Sequence, residues 1–114
     1  MTRDELRERW RISEVAAVQA RDKAERARQG REILFDQMVD NLLSQAGEEG
    51  RKLSTAAAER MVRTSDGYRR YLRQMHDLKL KADLLKVEAQ NSDRLYWEMV
   101  SSEATYRAEA RLHQ

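Results

Sequence analysis

The chain has 114 residues, with 22 basic and 20 acidic side chains, a net charge of +2, no proline and no cysteine. The lack of cysteine excludes disulfide and thiol chemistry, and the balance of charge gives no overall field that would favour nucleic acid. With 37% charged and 6% aromatic residues, the composition is typical of long or coiled helices. The N-terminus is charged and no apolar run approaches the ~18 residues of a membrane span, so we expect a cytoplasmic protein without a membrane partner.

A first helix is predicted over residues 3–46. Thr2 and Glu5 have the spacing of a capping box, in which the threonine hydroxyl accepts from the amide of the glutamate. Gly30 marks either a bend or a locally weak point, because glycine costs about 1 kcal/mol relative to alanine inside a helix. The densest apolar patch of the chain follows at Ile33, Leu34, Phe35, Met38, Val39, Leu42 and Leu43.

The turn at residues 47–53 is the one full break that the sequence predicts. Gly47 is placed to end the first helix with a positive φ, and Gly50 keeps the connection loose. Ser54 or Thr55 can cap a long second helix over residues 54–112. Its weakest point is Ser65-Asp66-Gly67, where a kink can form. The chain therefore reads as a single helical domain over residues 1–114, an all-α helical hairpin with one long C-terminal helix.

A heptad repeat runs from Met61 towards the C-terminus. Of the sixteen positions in its two rows, twelve are apolar or aromatic. Such a seam needs a helix to bury it, which predicts coiled-coil-like packing in an oligomer. The predicted oligomer interface is formed by Tyr68, Tyr71, Met75, Leu78, Leu85, Tyr96, Met99 and Tyr106.

The two arms of the hairpin are expected to differ in length. The N-terminal arm is expected to cover about the first two thirds of the long helix. The remainder would then be exposed in a monomer, with Tyr96, Trp97, Met99, Val100 and Tyr106 on it. An exposed apolar area of this kind indicates a partner site, and we predict a homo-oligomer.

Basic side chains are concentrated between Glu59 and Lys86, where eight of them accompany four acidic ones. In an oligomer they would form a band in which arginines contact phosphates while Tyr68 or Tyr71 stacks on a base, an arrangement that binds single-stranded DNA. The alternative is the charged flank of a coiled coil, with both tyrosines facing a neighbouring helix. The candidate nucleic-acid-binding residues are Arg60, Arg63, Arg69, Arg70, Arg73, Lys79, Lys81 and Lys86.

No pattern in the sequence indicates catalysis. His76-Asp77 is the nearest approach to a metal-binding motif, but a metal site needs three or four convergent ligands and the second histidine, His113, lies at the end of the chain. The sequence contains no glycine-rich phosphate loop and no nucleophile elbow. We therefore expect no enzymatic activity, no cofactor and no small-molecule substrate.

The stretch Leu85-Lys86-Val87-Glu88-Ala89-Gln90, which follows a basic helix, resembles small bacteriophage recombination mediator proteins of the UvsY type. The segment from Ser101 to Leu112 is similar to the tail of short helical proteins encoded in phage recombination loci. Together the two stretches cover about a third of the chain. The resemblance implies a ring-forming helical protein that binds single-stranded DNA and assists a recombinase.

One departure from that family concerns DNA contact. The prototype has a lysine and an arginine shortly after the matching stretch, and Tyr96 and Glu98 occupy those positions here. Any DNA contact would therefore come from the basic segment before Leu85. Two functions follow from the sequence: an oligomeric single-stranded DNA-binding accessory protein of recombination, or a structural coiled-coil adaptor that binds another protein and no nucleic acid.

Overall fold

The protein is all-α, as the sequence predicts. A computed structural model describes residues 1–113. It contains three helices, α1 (Arg3–Glu48), α2 (Thr55–Thr64) and α3 (Asp66–Leu112), and no strand within those residues. The predicted all-α class and a long C-terminal helix are confirmed.

Both ends of α1 are capped by local hydrogen bonds. The Glu5 amide donates to the Thr2 hydroxyl at 3.2 Å, as the capping box predicts. At the other end, Gly50 and not Gly47 has the positive φ, at 70°. The Arg51 amide donates to the Ala46 carbonyl and the Gly50 amide to the Gly47 carbonyl, which is the hydrogen-bond pattern of a Schellman motif. The prediction that Gly47 ends the helix was therefore wrong, because the helix continues through it to Glu48.

The predicted long helix 54–112 is interrupted at Ser65. The α2 helix begins as predicted, with the Ser54 hydroxyl accepting from the Ala57 amide. Ser65 has an extended conformation, with ψ near 147°. Its hydroxyl donates to the Val62 carbonyl and accepts from the Tyr68 amide, so one side chain caps both α2 and α3. The break at residues 47–53 is therefore not the only one, because a serine can replace the helical hydrogen bonds at this point.

Close contacts divide the chain into two compact units. Unit 2 comprises Asp22–Lys79 and contains the apolar cluster of the protein. Val39, Ala58, Val62 and Tyr68 are buried at the centre of this cluster, and large side chains of α1, of α3 and of the turn before α2 pack around them. They are Leu34, Phe35, Met38, Leu42, Leu43, Leu53 and Leu72.

Unit 1 comprises Met1–Arg21 and Leu80–Gln114. Here the first part of α1 packs antiparallel to the second part of α3. The Trp10 and Tyr96 rings stack with their centroids 5.4 Å apart, and the Arg3 guanidinium lies 3.9 Å from the Glu103 carboxylate. Hydrogen bonding to the Tyr96 side chain and, less strongly, the negative charge of Glu103 raise the pKa of the Arg3 guanidinium.

Within residues 1–113, no helix is both long enough and apolar enough to cross a bilayer.

Candidate protein-binding surface and basic segment

Four residues of the predicted oligomer interface lie in unit 2, and all four are covered by the chain itself. Tyr68 is buried, with its ring centroid 5.5 Å from that of Phe35. Tyr71, Met75 and Leu78 are half-buried. The heptad seam is thus used within the chain at this end of α3.

The other four predicted interface residues lie in unit 1. Tyr96 is only 7% exposed, Leu85 and Met99 are half-buried, and Tyr106 is exposed. Trp97 and Tyr106 are exposed as expected. The expectation that Tyr96, Met99 and Val100 stay exposed was wrong. The reason is the length of α1, which has 46 residues against 47 in α3, so that Trp10 reaches Tyr96.

Small side chains form most of the buried contact between α1 and α3 in unit 1. We call the α3 positions Ala82, Leu85, Ala89, Ser92 and Tyr96 the inner seam; all but the half-buried Leu85 are buried. On α1, Ser13 and Ala20 are buried, and the Ser13 and Ser92 hydroxyls lie 3.3 Å apart. Alanine and serine let two helices approach closely but bury little apolar area.

Large aliphatic side chains of unit 1 lie instead on its surface. On α3, Leu80, Leu84 and Val87 are 52%, 63% and 54% exposed, and Leu95 is 38% exposed. Asn91 continues their spacing and is exposed. We call Leu80, Leu84, Val87, Asn91 and Leu95 the outer stripe. If Ala82 and Ala89 are heptad positions a, then the residues from Leu80 to Asn91 occupy positions f and c, which a coiled-coil pair leaves in solvent.

The sequence did not predict the outer stripe, because its residues lie between the two rows of the heptad seam. The steps of four, three and four residues from Leu80 to Asn91 carry the signal. In the sequence, Leu84 and Leu85 are adjacent and cannot be assigned to opposite sides of the helix without knowing which one meets α1. The structure decides this, since Leu85 is half-buried and Leu84 is exposed.

The predicted nucleic-acid-binding residues are all exposed. Six of the eight belong to unit 2, whereas Lys81 and Lys86 belong to unit 1. Arg63 pairs with Glu59 at 3.6 Å and lies over the Phe35 ring. Within residues 1–113, Arg69, Arg70 and Arg73 form no ion pair, so their guanidinium groups are available to an external anion.

The two tyrosines of the basic segment are used inside the protein. The Tyr71 hydroxyl donates to the Ala27 carbonyl at 2.5 Å, and Tyr68 packs on Phe35 in the core. These positions do not support stacking of the two rings on bases. They agree with the alternative, in which both tyrosines face a neighbouring helix. That helix is α1 of the same chain.

Gly30 provides the space for the Tyr71 hydroxyl. A Cβ at position 30 would lie 3.0 Å from that oxygen. The α1 helix continues through Gly30 without a break. The glycine therefore does not interrupt the helix, and it permits a close approach of the Tyr71 side chain to α1.

The described residues contain no group of three or more histidine, aspartate or glutamate side chains placed to hold a metal ion. Comparisons with protein-family models, with curated proteins and with solved structures find no match to this chain.

The contact between Gly30 and Tyr71 predicts a coupling between two substitutions. Gly30→Ala alone should leave the free energy of unfolding nearly unchanged, because the helix propensity of alanine, about 1 kcal/mol, is offset by the loss of the Tyr71 hydrogen bond, also worth about 1 kcal/mol. In a Tyr71→Phe background the same change should be stabilising by about 1 kcal/mol, because alanine favours the helix and nothing opposes it. Urea unfolding followed by circular dichroism measures both values.

Gly47→Ala is the matched control for this cycle. Gly47 also lies within α1, and a Cβ there would meet nothing within 4 Å. It should change stability equally in both backgrounds. Equal effects of Gly30→Ala in the two backgrounds would contradict the assigned contact.

Proposed function

We propose that this protein is a structural helical adaptor that acts by binding protein through the outer stripe of α3. The proposal rests on one observation, that unit 1 buries small side chains and exposes large aliphatic ones. Small residues form most of its buried contact, while Leu80, Leu84 and Val87 are half-exposed or more. Exposed aliphatic residues that follow one another along a helix are characteristic of a surface that another helix covers.

Coverage of the outer stripe would supply stability that unit 1 otherwise lacks. Full burial of a leucine or valine side chain contributes roughly 1.5–3 kcal/mol. Leu80, Leu84 and Val87 each have about half of that contribution still to gain. The sum, on the order of 3 kcal/mol, is large compared with the marginal stability of small helical pairs.

Binding of single-stranded DNA is the second candidate function. The exposed arginines at positions 69, 70 and 73, which form no ion pair within residues 1–113, support it, together with the resemblance to recombination mediators, which also implies a recombinase partner. With Tyr68 and Tyr71 packed inside unit 2, such binding would rest on phosphate contacts alone. It would therefore be independent of sequence and strongly dependent on salt.

Photo-crosslinking tests the adaptor function directly. A photoreactive phenylalanine analogue at Leu84 should give crosslinked protein adducts when the full chain is irradiated in the cell that produces it. Lys86 is also exposed but lies outside the outer stripe. The same analogue at Lys86 should therefore give far fewer adducts. Adducts to a second copy or to another protein both agree with the adaptor function. Equal yields at the two positions, or no adduct at Leu84, would contradict it.

Charge reversal tests the DNA-binding candidate. Changing Arg69, Arg70 and Arg73 together to Glu should abolish binding of an unstructured oligonucleotide at low salt, measured by fluorescence anisotropy at two salt concentrations. A triple change of Arg7, Arg9 and Arg107 to Glu alters the net charge equally, at exposed positions outside the basic segment, and should leave most of the binding intact. If the unaltered protein binds no oligonucleotide at low salt, this candidate is excluded.

A further inference from the structure

We infer that the break at Ser65 is a conformational device that selects the face of α2 packed against α1. The break rotates α2 so that Val62 is buried where an uninterrupted helix would bury Met61. The device lies within unit 2 and is independent of the outer stripe. The evidence for it is the difference between the buried positions on the two sides of the break.

The heptad rows of α3 do not continue into α2. Just after the break the two rows face the inside of unit 2, since Tyr68 is buried and Tyr71 is half-buried. One heptad earlier the same rows fall on Met61 and Thr64, and both of these residues are exposed. The predicted seam therefore begins at Tyr68 and not at Met61.

The buried positions of α2 lie one residue later than the heptad rows predict. Ala58 and Val62 are 0% and 1% exposed, whereas Met61 is 46% exposed. Consecutive residues of an α-helix are about 100° apart around its axis. The contact face of α2 is therefore turned by one such step from the phase of α3, and the turn occurs at Ser65, the extended residue between the two helices.

Ser65 supplies hydrogen bonds at both helix ends that the break creates. Its amide and its hydroxyl both donate to the Val62 carbonyl at the end of α2. At the start of α3, its hydroxyl accepts from the Tyr68 amide and its carbonyl accepts from the Arg69 amide. An alanine at this position would lose both contacts of the hydroxyl. The serine therefore stabilises the rotated arrangement against a continuous helix.

One added residue would have the same effect on the helix faces as the break. With a residue inserted after position 65, the buried and half-buried positions would follow one another in steps of four, three, four and three residues. These positions are Ala58, Val62, Ser65, Tyr68 and Tyr71. The steps are those of a single unbroken heptad seam. The chain is thus one residue short of a continuous helix that would bury the same side chains.

The rotation of α2 also determines the position of Arg63. Its guanidinium lies 5.4 Å from the centroid of the Phe35 ring, which belongs to α1. Turning α2 by one residue would carry Arg63 away from that ring. The break therefore decides how two of the predicted nucleic-acid-binding residues, Arg60 and Arg63, are presented on unit 2.

An insertion in the full chain tests the inference. Ser65→Ala alone should lower the urea midpoint of unfolding, because the contacts of the hydroxyl are lost. One alanine inserted between residues 65 and 66 of the Ser65→Ala variant should return the midpoint at least to that of the unaltered protein. It should also raise the helicity, because a continuous helix then buries Ala58 and Val62. Circular dichroism measures both quantities.

The matched control is the same alanine inserted between Gln74 and Met75 of the Ser65→Ala variant. It should lower the midpoint further, because it turns one part of the seam away from α1. A single cysteine in place of Val62 reports which face is buried, and it should react slowly with a maleimide in the unaltered background and after the insertion at position 65. An insertion there that lowers the midpoint as much as the control, or that makes this cysteine reactive, would overturn the inference.

Discussion

The packing of α1 against the inner seam of α3 is the interaction on which the rest of the structure depends. A heptad seam must be buried against a helix, and in this protein that helix belongs to the same chain. Because α1 has almost the length of α3, little of the seam is left for another molecule. Tyr106 is the one exposed residue of the predicted interface. The inner seam therefore offers little apolar surface outside the chain.

The two units bury their helices in different ways. Unit 2 has large side chains at its centre, and the double cap at Ser65 lets α2 and α3 both contribute to it. Unit 1 has alanines, a buried serine pair and, near its end, the stacked rings of Trp10 and Tyr96. Small residues at a helix contact fix a close approach, but their burial contributes little free energy. Unit 1 therefore buries less apolar area at its helix contact than the cluster of unit 2 does.

Much of the fold could be predicted from the sequence, because the relevant signals are local or periodic. The caps depend on a few neighbouring residues: Thr2 was predicted correctly, and of the two candidates Ser54 and Thr55 it is Ser54 that caps α2. The seam through Tyr68 and Tyr96 follows from its period alone. The break at Ser65 was predicted only as a weak point, because the same three residues also fit a continuous helix and the packing of unit 2 decides between the two.

The candidate site was less predictable, because it depends on which face of α3 meets α1. Leu85 and Tyr96 were assigned to an interface between chains, although the structure uses them within one chain. The role of Gly30 depends on Tyr71, which is distant in sequence. The exposure of the basic side chains was predictable, but exposure alone does not identify a ligand.

Thiol labelling tests the central claim, that α1 covers the inner seam of α3 and leaves the outer stripe exposed, most directly. The chain contains no cysteine, so Ala89→Cys and Leu84→Cys variants each offer one thiol per molecule. In dilute solution a maleimide should modify position 84 at the rate of an exposed thiol and position 89 far more slowly, because Leu84 is 63% exposed and Ala89 only 5%. Equal labelling rates at the two positions would contradict the account.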